Sequence, residues 1–335
     1  MLMLSPVMAL GVLLFLALFF NFLNGFHDAS NIVATVISSR AMSPRMALTW
    51  TAIFELLGPY VLGVAVAHTI GADIVGAEHI TVVVLYAGLI AAIVWNLLTW
   101  YLGIPSSSSH ALIGGLVGAV AMAAGPGAIR LPGLEKVFIA LFTSPVIGFV
   151  VGYVLLKFLL GILWWATPKI NRWFRIGQVF TSAALALSHG ANDGQKTMGV
   201  IVLGLVTLGF LPEFSMPNWV IVASSLTLSL GAYTGGWRLI HTLGAKFYRI
   251  RPIHGFSVQL TSASVVIGAA LLGGPVSTTQ VVSAAIVGVG SAERASKVRW
   301  QVFQDIALAW LLTIPATALI AAGAYWVLRQ YIMVM

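Results

Sequence analysis

The sequence predicts an all-α integral membrane protein of two inverted-topology repeats, each of about five membrane segments, with broken helices and re-entrant polar segments. Three observations predict it. Apolar runs long enough to cross a bilayer recur along the whole chain, four sequence patterns occur twice in the same order, and basic residues gather in only some of the loops.

The apolar runs decide the class. Of 335 residues, 59% are hydrophobic and 8% are charged, whereas a soluble domain carries roughly 25% charged residues. Residues 7–24, 46–67 and 81–102 are runs of the length a bilayer crossing needs. The first run lacks a basic leading region, so it reads as a membrane helix and not a cleaved signal. The net charge of +8 sits in short loops between apolar runs. That is an orientation signal for a lipid bilayer and not a nucleic-acid footprint. Cysteine is absent, which excludes disulfides and thiolate metal sites.

The repeats come next. Gly25-Phe26-His27-Asp28 resembles Gly190-Ala191-Asn192-Asp193. A Gly58–Gly63 pattern followed by His68 resembles Gly231–Gly236 followed by His241. Pro105 with its hydroxyl run resembles Pro275 with its own, and Thr143-Ser144-Pro145 resembles Thr313-Ile314-Pro315. The offsets are 165, 173, 170 and 170, and four matches in one order at nearly one offset argue for a duplication. Loops 40–45, 169–175, 238–251 and 294–299 hold 12 of the 17 Lys and Arg residues and are expected on the cytoplasmic side. Loops 71–79, 125–136 and 211–217 carry acidic residues or little charge. Threading the chain through that constraint gives five crossings in residues 1–165, a short cytoplasmic linker at 166–177, and five inverted crossings in 178–335. Both termini then lie outside. Inverted repeats mark secondary transporters, with the binding site near the midplane.

Ionisable residues at membrane depth are functional candidates by default. Asp28 and Asp193 occupy matching places, and Glu55 and Lys196 are the others. Segments 24–31 and 188–197 contain Gly and read as helix breaks, offering carbonyls to cations and N–H groups to anions. If helix resumes, Asp28 and Asn31 share a face, as do Asp193 and Lys196, with Thr197 one turn from Asp193. Ser107, Ser108 and Ser109, and Ser277, Thr278 and Thr279, each follow Gly and Pro and precede a small-residue helix. Hydroxyls at a helix N-terminus lie beside unpaired N–H groups, where the dipole favours an anion. Two such ends meeting from opposite faces would form a cage of donors. Close helix packing is the simpler reading of either hydroxyl run, and the capping of half-helices that of segments 24–31 and 188–197. His27 and His189 flank the acids and could carry protons. Glu55 matches the apolar Leu228 and so is specific to one repeat.

These motifs resemble the inorganic phosphate transporter (PiT) family. The resemblance rests on Asn24-Gly-Phe-His-Asp-Ala-Ser-Asn31 and its continuation to Ile37, and on Ser188-His-Gly-Ala-Asn-Asp-Gly-Gln-Lys-Thr197. Pro105–His110, Gly236-Trp-Arg238 and Ala309–Pro315 also match, and the likeness covers nearly the whole chain. It implies a homodimeric plasma-membrane symporter that imports inorganic phosphate with sodium or protons and needs no other cofactor. It also implies that Asp28, Asn31, Asn192, Asp193 and the two hydroxyl runs form the phosphate and cation site. Lys196 would join the anion site, and Thr197 the coupling-cation site, with sodium at Asp28 and Asp193. Gln259 stands where many members have Glu, and His27 where many have Asn; both departures bear on the coupling ion. Sulfate is the rival cargo. An intramembrane serine hydrolase using Ser107 or Ser109 with His110, and a passive anion channel, are rivals of other classes.

Overall fold

Ser5, Ser43, Thr81, Ser107 and Ser277 each accept a hydrogen bond from the backbone N–H three residues on, and so start five helices. Pro6 and Pro44, each at a first helical position, reinforce two of these starts. The computed structural model describes residues 2–70 and 80–334. Its first half holds α1 (Pro6–Ser38), α2 (Pro44–Leu62), the short α3 (Ala65–His68), α4 (Val82–Leu102), α5 (Ser108–Ala124) and α6 (Leu131–Ile162). The second half holds α7 (Asn171–Thr207), α8 (Asn218–Thr234), α9 (Trp237–Ala245), α10 (Pro252–Leu271), α11 (Thr278–Arg294) and α12 (Trp300–Tyr331). Near the termini, β1 (Leu2–Leu4) pairs in parallel with β2 (Ile332–Val334).

Among the described residues, α1, α4, α6, α10 and α12 are long and apolar enough to cross a membrane. The chain is therefore a membrane protein. Helix α7 begins at Asn171, inside the expected linker 166–177. The acidic loop expected at 71–79 lies outside the described residues.

One expectation fails. Segments 24–31 and 188–197 do not break their helices: α1 runs for 33 residues and α7 for 37, straight through them. Their glycines serve close approach instead. A Cβ on Gly25 would lie 2.1 Å from the Leu228 carbonyl oxygen, and one on Gly231 would lie 2.1 Å from that of Phe22. The crossing of α7 with α2 repeats the device: a Cβ on Gly190 would lie 2.2 Å from the Glu55 carbonyl oxygen, and one on Gly58 2.5 Å from that of Leu187. Only a side chain of hydrogen lets the helix backbones touch there. The interruptions fall elsewhere: at Gly63 between α2 and α3, at Gly235 and Gly236 between α8 and α9, and in the extended segments before α5 and α11.

Two apolar clusters flank a polar layer. Helix α1 places Leu13, Ala17 and Phe20 in the first and Ile32, Val33 and Val36 in the second. Helix α7 visits them in reverse order, with Leu185 and Ala186 in the second and Val200, Ile201 and Val202 in the first. So α1 and α7 run in opposite directions, and the polar residues between those sets meet at mid-depth.

Candidate functional site

The N-terminal turns of α5 and α11 deliver hydroxyls to that polar layer. Ser107 and Ser277 are themselves the N-caps, accepting from the backbone N–H groups of His110 and Gln280. The following residues point at the acids. Asp28 Oδ2 accepts from Ser108 Oγ at 3.0 Å, and Asp28 Oδ1 accepts from Thr279 Oγ1 at 2.8 Å. Asp193 Oδ2 accepts from Thr278 Oγ1 at 2.6 Å, and Asp193 Oδ1 from Ser109 Oγ at 3.5 Å. Each acid thus takes one hydroxyl from its own half and one from the other. All six of these residues are buried. Hydroxyl donation to an ionised carboxylate is among the stronger neutral-to-charged bonds, worth roughly 1.5–3 kcal/mol each.

The groups one turn on match as well. Asn31 Nδ2 donates to Thr279 Oγ1 at 2.9 Å. At the matching place in α7, the Lys196 ammonium donates to Ser109 Oγ and to Asp193, and also to the Val276 carbonyl oxygen at 2.8 Å. Lys196 is 1% exposed, so its charge is compensated by these oxygens and not by water.

Symmetry ends at His189. Its Nδ1 lies 2.8 Å from Glu55 Oε1, while its Nε2 lies 3.7 Å from Asp28 Oδ2 and 3.6 Å from Asp193 Oδ2. The atoms that Asp28, His189 and Asp193 offer all lie within 4.8 Å of one another, a spacing that can hold a metal ion. His27 Nδ1 lies 3.1 Å from Asp28 Oδ1. The counterpart of His189 in α1 is Asn24, whose Oδ1 accepts from Ser108 at 2.7 Å. Three carboxylates, one lysine and two histidines therefore share one buried layer.

Other candidates do different jobs. Asn192 donates to the Gly274 carbonyl at 3.1 Å and accepts from Val276 N–H at 3.3 Å, so it holds the segment leading into α11 and does not face the acids. Thr197 donates to Asn21 Oδ1 at 3.0 Å and bonds neither acid. The carbonyls of α1 and α7 expected beside Asp28 and Asp193 are not freed, because both helices are continuous; the oxygens there belong to side chains and to Val276, in the segment before α11. Ser107 lies 2.7 Å from His110 Nδ1, yet its oxygen also caps α5. Sequence reasoning missed Asn24 and Gln195. Gln195 Oε1 accepts from the Val66 and Ala67 N–H groups and so caps α3, while its Nε2 donates to the Gly63 carbonyl. A glutamine deep in a small-residue helix was the available signal. Glu55 was visible as a buried acid, but nothing in the sequence paired it with His189, 134 positions away.

Helices crossing a membrane around buried acids, a buried lysine and two hydroxyl-bearing helix ends define a polytopic membrane transporter. Residues 24–321 match the Phosphate transporter family, and the chain belongs to it. Its relatives include a "Probable low-affinity inorganic phosphate transporter" of Rhizobium meliloti, 43% identical, with 94% of this chain and 95% of that protein covered. One of the same name in Bacillus subtilis is 42% identical over the same shares. A solved structure described as "The sodium-dependent phosphate transporter" superposes with a TM-score of 0.84 at 26% identity, covering 96% of this chain and 99% of that one. The chain is a transporter and not an enzyme, which rejects the serine hydrolase reading.

Proposed function

We propose that the protein imports inorganic phosphate together with cations, sodium or protons, by alternating access across the plasma membrane. The observation that carries this reading is the shared hold on the two acids. Ser108 and Thr279 donate to Asp28, and Thr278 and Ser109 to Asp193. Four hydroxyls at two helix N-termini are donors that can turn to an oxyanion, and the N–H dipoles behind them favour negative charge. Phosphate brings about one to two negative charges near neutral pH. Beside Asp28, Asp193 and Glu55, with Lys196 the one lysine in the layer, that charge is intolerable at low dielectric unless cations enter too. The cluster of Asp28, His189 and Asp193 supplies hard oxygen and nitrogen donors for sodium, or proton acceptors. The sodium-dependent structural neighbour supports sodium as the first ion to test.

Phosphate is favoured over sulfate because it keeps a proton that a carboxylate can accept as a hydrogen bond. Two inverted repeats, 1–165 and 178–335, with α5 and α11 as re-entrant segments, form the framework. The opposed directions of α1 and α7 support it, as do the paired glycine crossings and the matched hydroxyl bonds. Homodimer assembly and both termini outside complete the proposal. The test is uptake of labelled phosphate and labelled sulfate into liposomes holding the purified protein, under imposed sodium or proton gradients. Phosphate accumulating against its gradient only when one ion gradient is present supports the reading. Preference for sulfate, or uptake that never exceeds equilibrium, overturns it.

A further inference from the structure

Polar residues recur along one stripe of α1 beyond the acid. Asp28, Asn31, Thr35 and Ser38 are spaced three, four and three residues apart, which keeps them on one helix face. Asn31 Oδ1 and Thr35 Oγ1 are buried and have no hydrogen-bond partner among the described residues. Unsatisfied buried polar groups are expensive, and water or a passing polar solute would satisfy them. The matching positions in α7, at the offset of 165 that relates Asp28 to Asp193, are Lys196, Val200 and Leu203. There the stripe turns apolar immediately after the lysine, and Val200 and Leu203 pack in the first apolar cluster. On α1 the stripe stays polar for about three turns beyond the acid, whereas the matching stripe on α7 does not.

The stripe ends at a basic cavity. Ser39, about 16 Å along α1 from Asp28 at 1.5 Å per residue, donates to Gln178 Oε1 at 2.7 Å, and Gln178 Nε2 donates to the Pro252 carbonyl at 3.0 Å. Ser39 and Pro252 line a cavity of about 630 Å³. The fully buried Gln178 therefore ties α1, α7 and α10 together behind two residues of the cavity wall. Arg40, Arg175, Arg249, Arg251 and Arg299 line the same cavity, and no acid among the described residues does. Arg251 is paired with Glu293 at 2.5 Å; the other four have no acid partner among the described residues. Orientation alone would explain arginines in these loops. It does not explain why residues from four separate segments converge on one concavity at the end of a polar stripe whose Asn31 and Thr35 oxygens are unsatisfied.

We propose that the arginine cavity is an anion vestibule on the basic-loop face, and that the α1 stripe is the anion's path between it and the acid pair, with Gln178 as its gate. The idea rests on the phosphate reading above, and it names the side and the route by which the anion leaves or enters. Closely spaced guanidinium groups raise the local anion concentration and exclude cations of like sign.

The chain has no cysteine, so single cysteines can be placed in the otherwise unaltered protein. Thr35→Cys, in sealed vesicles of sorted orientation, is treated with anionic sulfonatoethyl or cationic trimethylammonioethyl methanethiosulfonate. The proposal expects modification from the basic-loop face, with the anionic reagent faster by roughly tenfold or more. Adding Gln178→Ala should speed it further, and Arg40→Gln with Arg249→Gln should erase the preference for the anion. Ser38→Cys, at the cavity wall, is the second reporter should Thr35→Cys fail to insert. Modification only from the opposite face, no preference for the anionic reagent, or a rate unchanged by Gln178→Ala overturns the route. Modification that follows the expected pattern but is not slowed by saturating phosphate upholds the route and overturns phosphate as the cargo, so the two ideas fail separately.

Discussion

Thr279 Oγ1 lies 2.8 Å from Asp28 Oδ1, although 251 positions separate the two residues. The same hydroxyl accepts from Asn31 Nδ2 at 2.9 Å, so one side chain of the second half bonds two in the first. Thr279→Ala should lose one bond to a charged group, roughly 1.5–3 kcal/mol, and so lower apparent phosphate affinity by about tenfold or more. Thr279→Ser keeps the hydroxyl and should restore most of it. Uptake kinetics of the two variants decide the matter, and equal affinities would show that Thr279 only packs.

Asp28→Asn and Asp193→Asn keep shape but remove charge. Each should abolish uphill phosphate uptake while the protein still inserts and stays folded. Concentrative uptake under the wild-type ion gradient by either variant would reduce that carboxylate to a structural role.

Lys196 is enclosed by Asp193, Ser109 and the Val276 carbonyl. Lys196→Met leaves Asp193 buried without its cation, which costs about 3–5 kcal/mol when a buried pair is broken. The thermal unfolding midpoint in detergent should fall. It should recover in part as sodium is titrated in, because the vacated oxygens suit a hard cation. A midpoint matching the unaltered protein without added sodium would contradict the pairing.

Gly25→Ala puts a methyl group where the Leu228 carbonyl oxygen is 2.1 Å away, backbone against helix. Overpacking of this kind costs about 1–3 kcal/mol, so the unfolding midpoint should drop. Gly11→Ala, with nothing within 4 Å, should be neutral or slightly stabilising. The pair of midpoints separates helix contact from a general intolerance of α1 to substitution.

The parallel pairing of β1 with β2 puts Leu2–Leu4 beside Ile332–Val334, on one side of the molecule. Glu213→Cys, on the loop between α7 and α8, should react with an impermeant thiol reagent from outside intact cells. Reaction only after permeabilisation would reverse the proposed orientation.

Much of this was legible in the chain. Apolar run length and charge content established a helical membrane protein, because a bilayer demands long apolar runs and these are counted directly. The recurring motifs singled out Asp28, Asp193 and both hydroxyl runs, because they occur twice in the same order. The helix breaks at 24–31 and 188–197 were misread. Glycine between polar residues looks the same whether it bends a helix or lets another helix touch it, and the neighbours, Leu228 and Glu55, are far away in sequence.

By itself, then, the sequence determined the class and the residue types of the buried polar layer, since those follow from composition and order. Tertiary structure alone decided the pairings. It brought Thr279 to Asp28 and Ser109 to Lys196, set His189 between the two acids against Glu55, and laid the α1 stripe against Gln178. Such contacts depend on how helices from opposite halves cross, and that is settled by the shape of their touching faces, which no local pattern records.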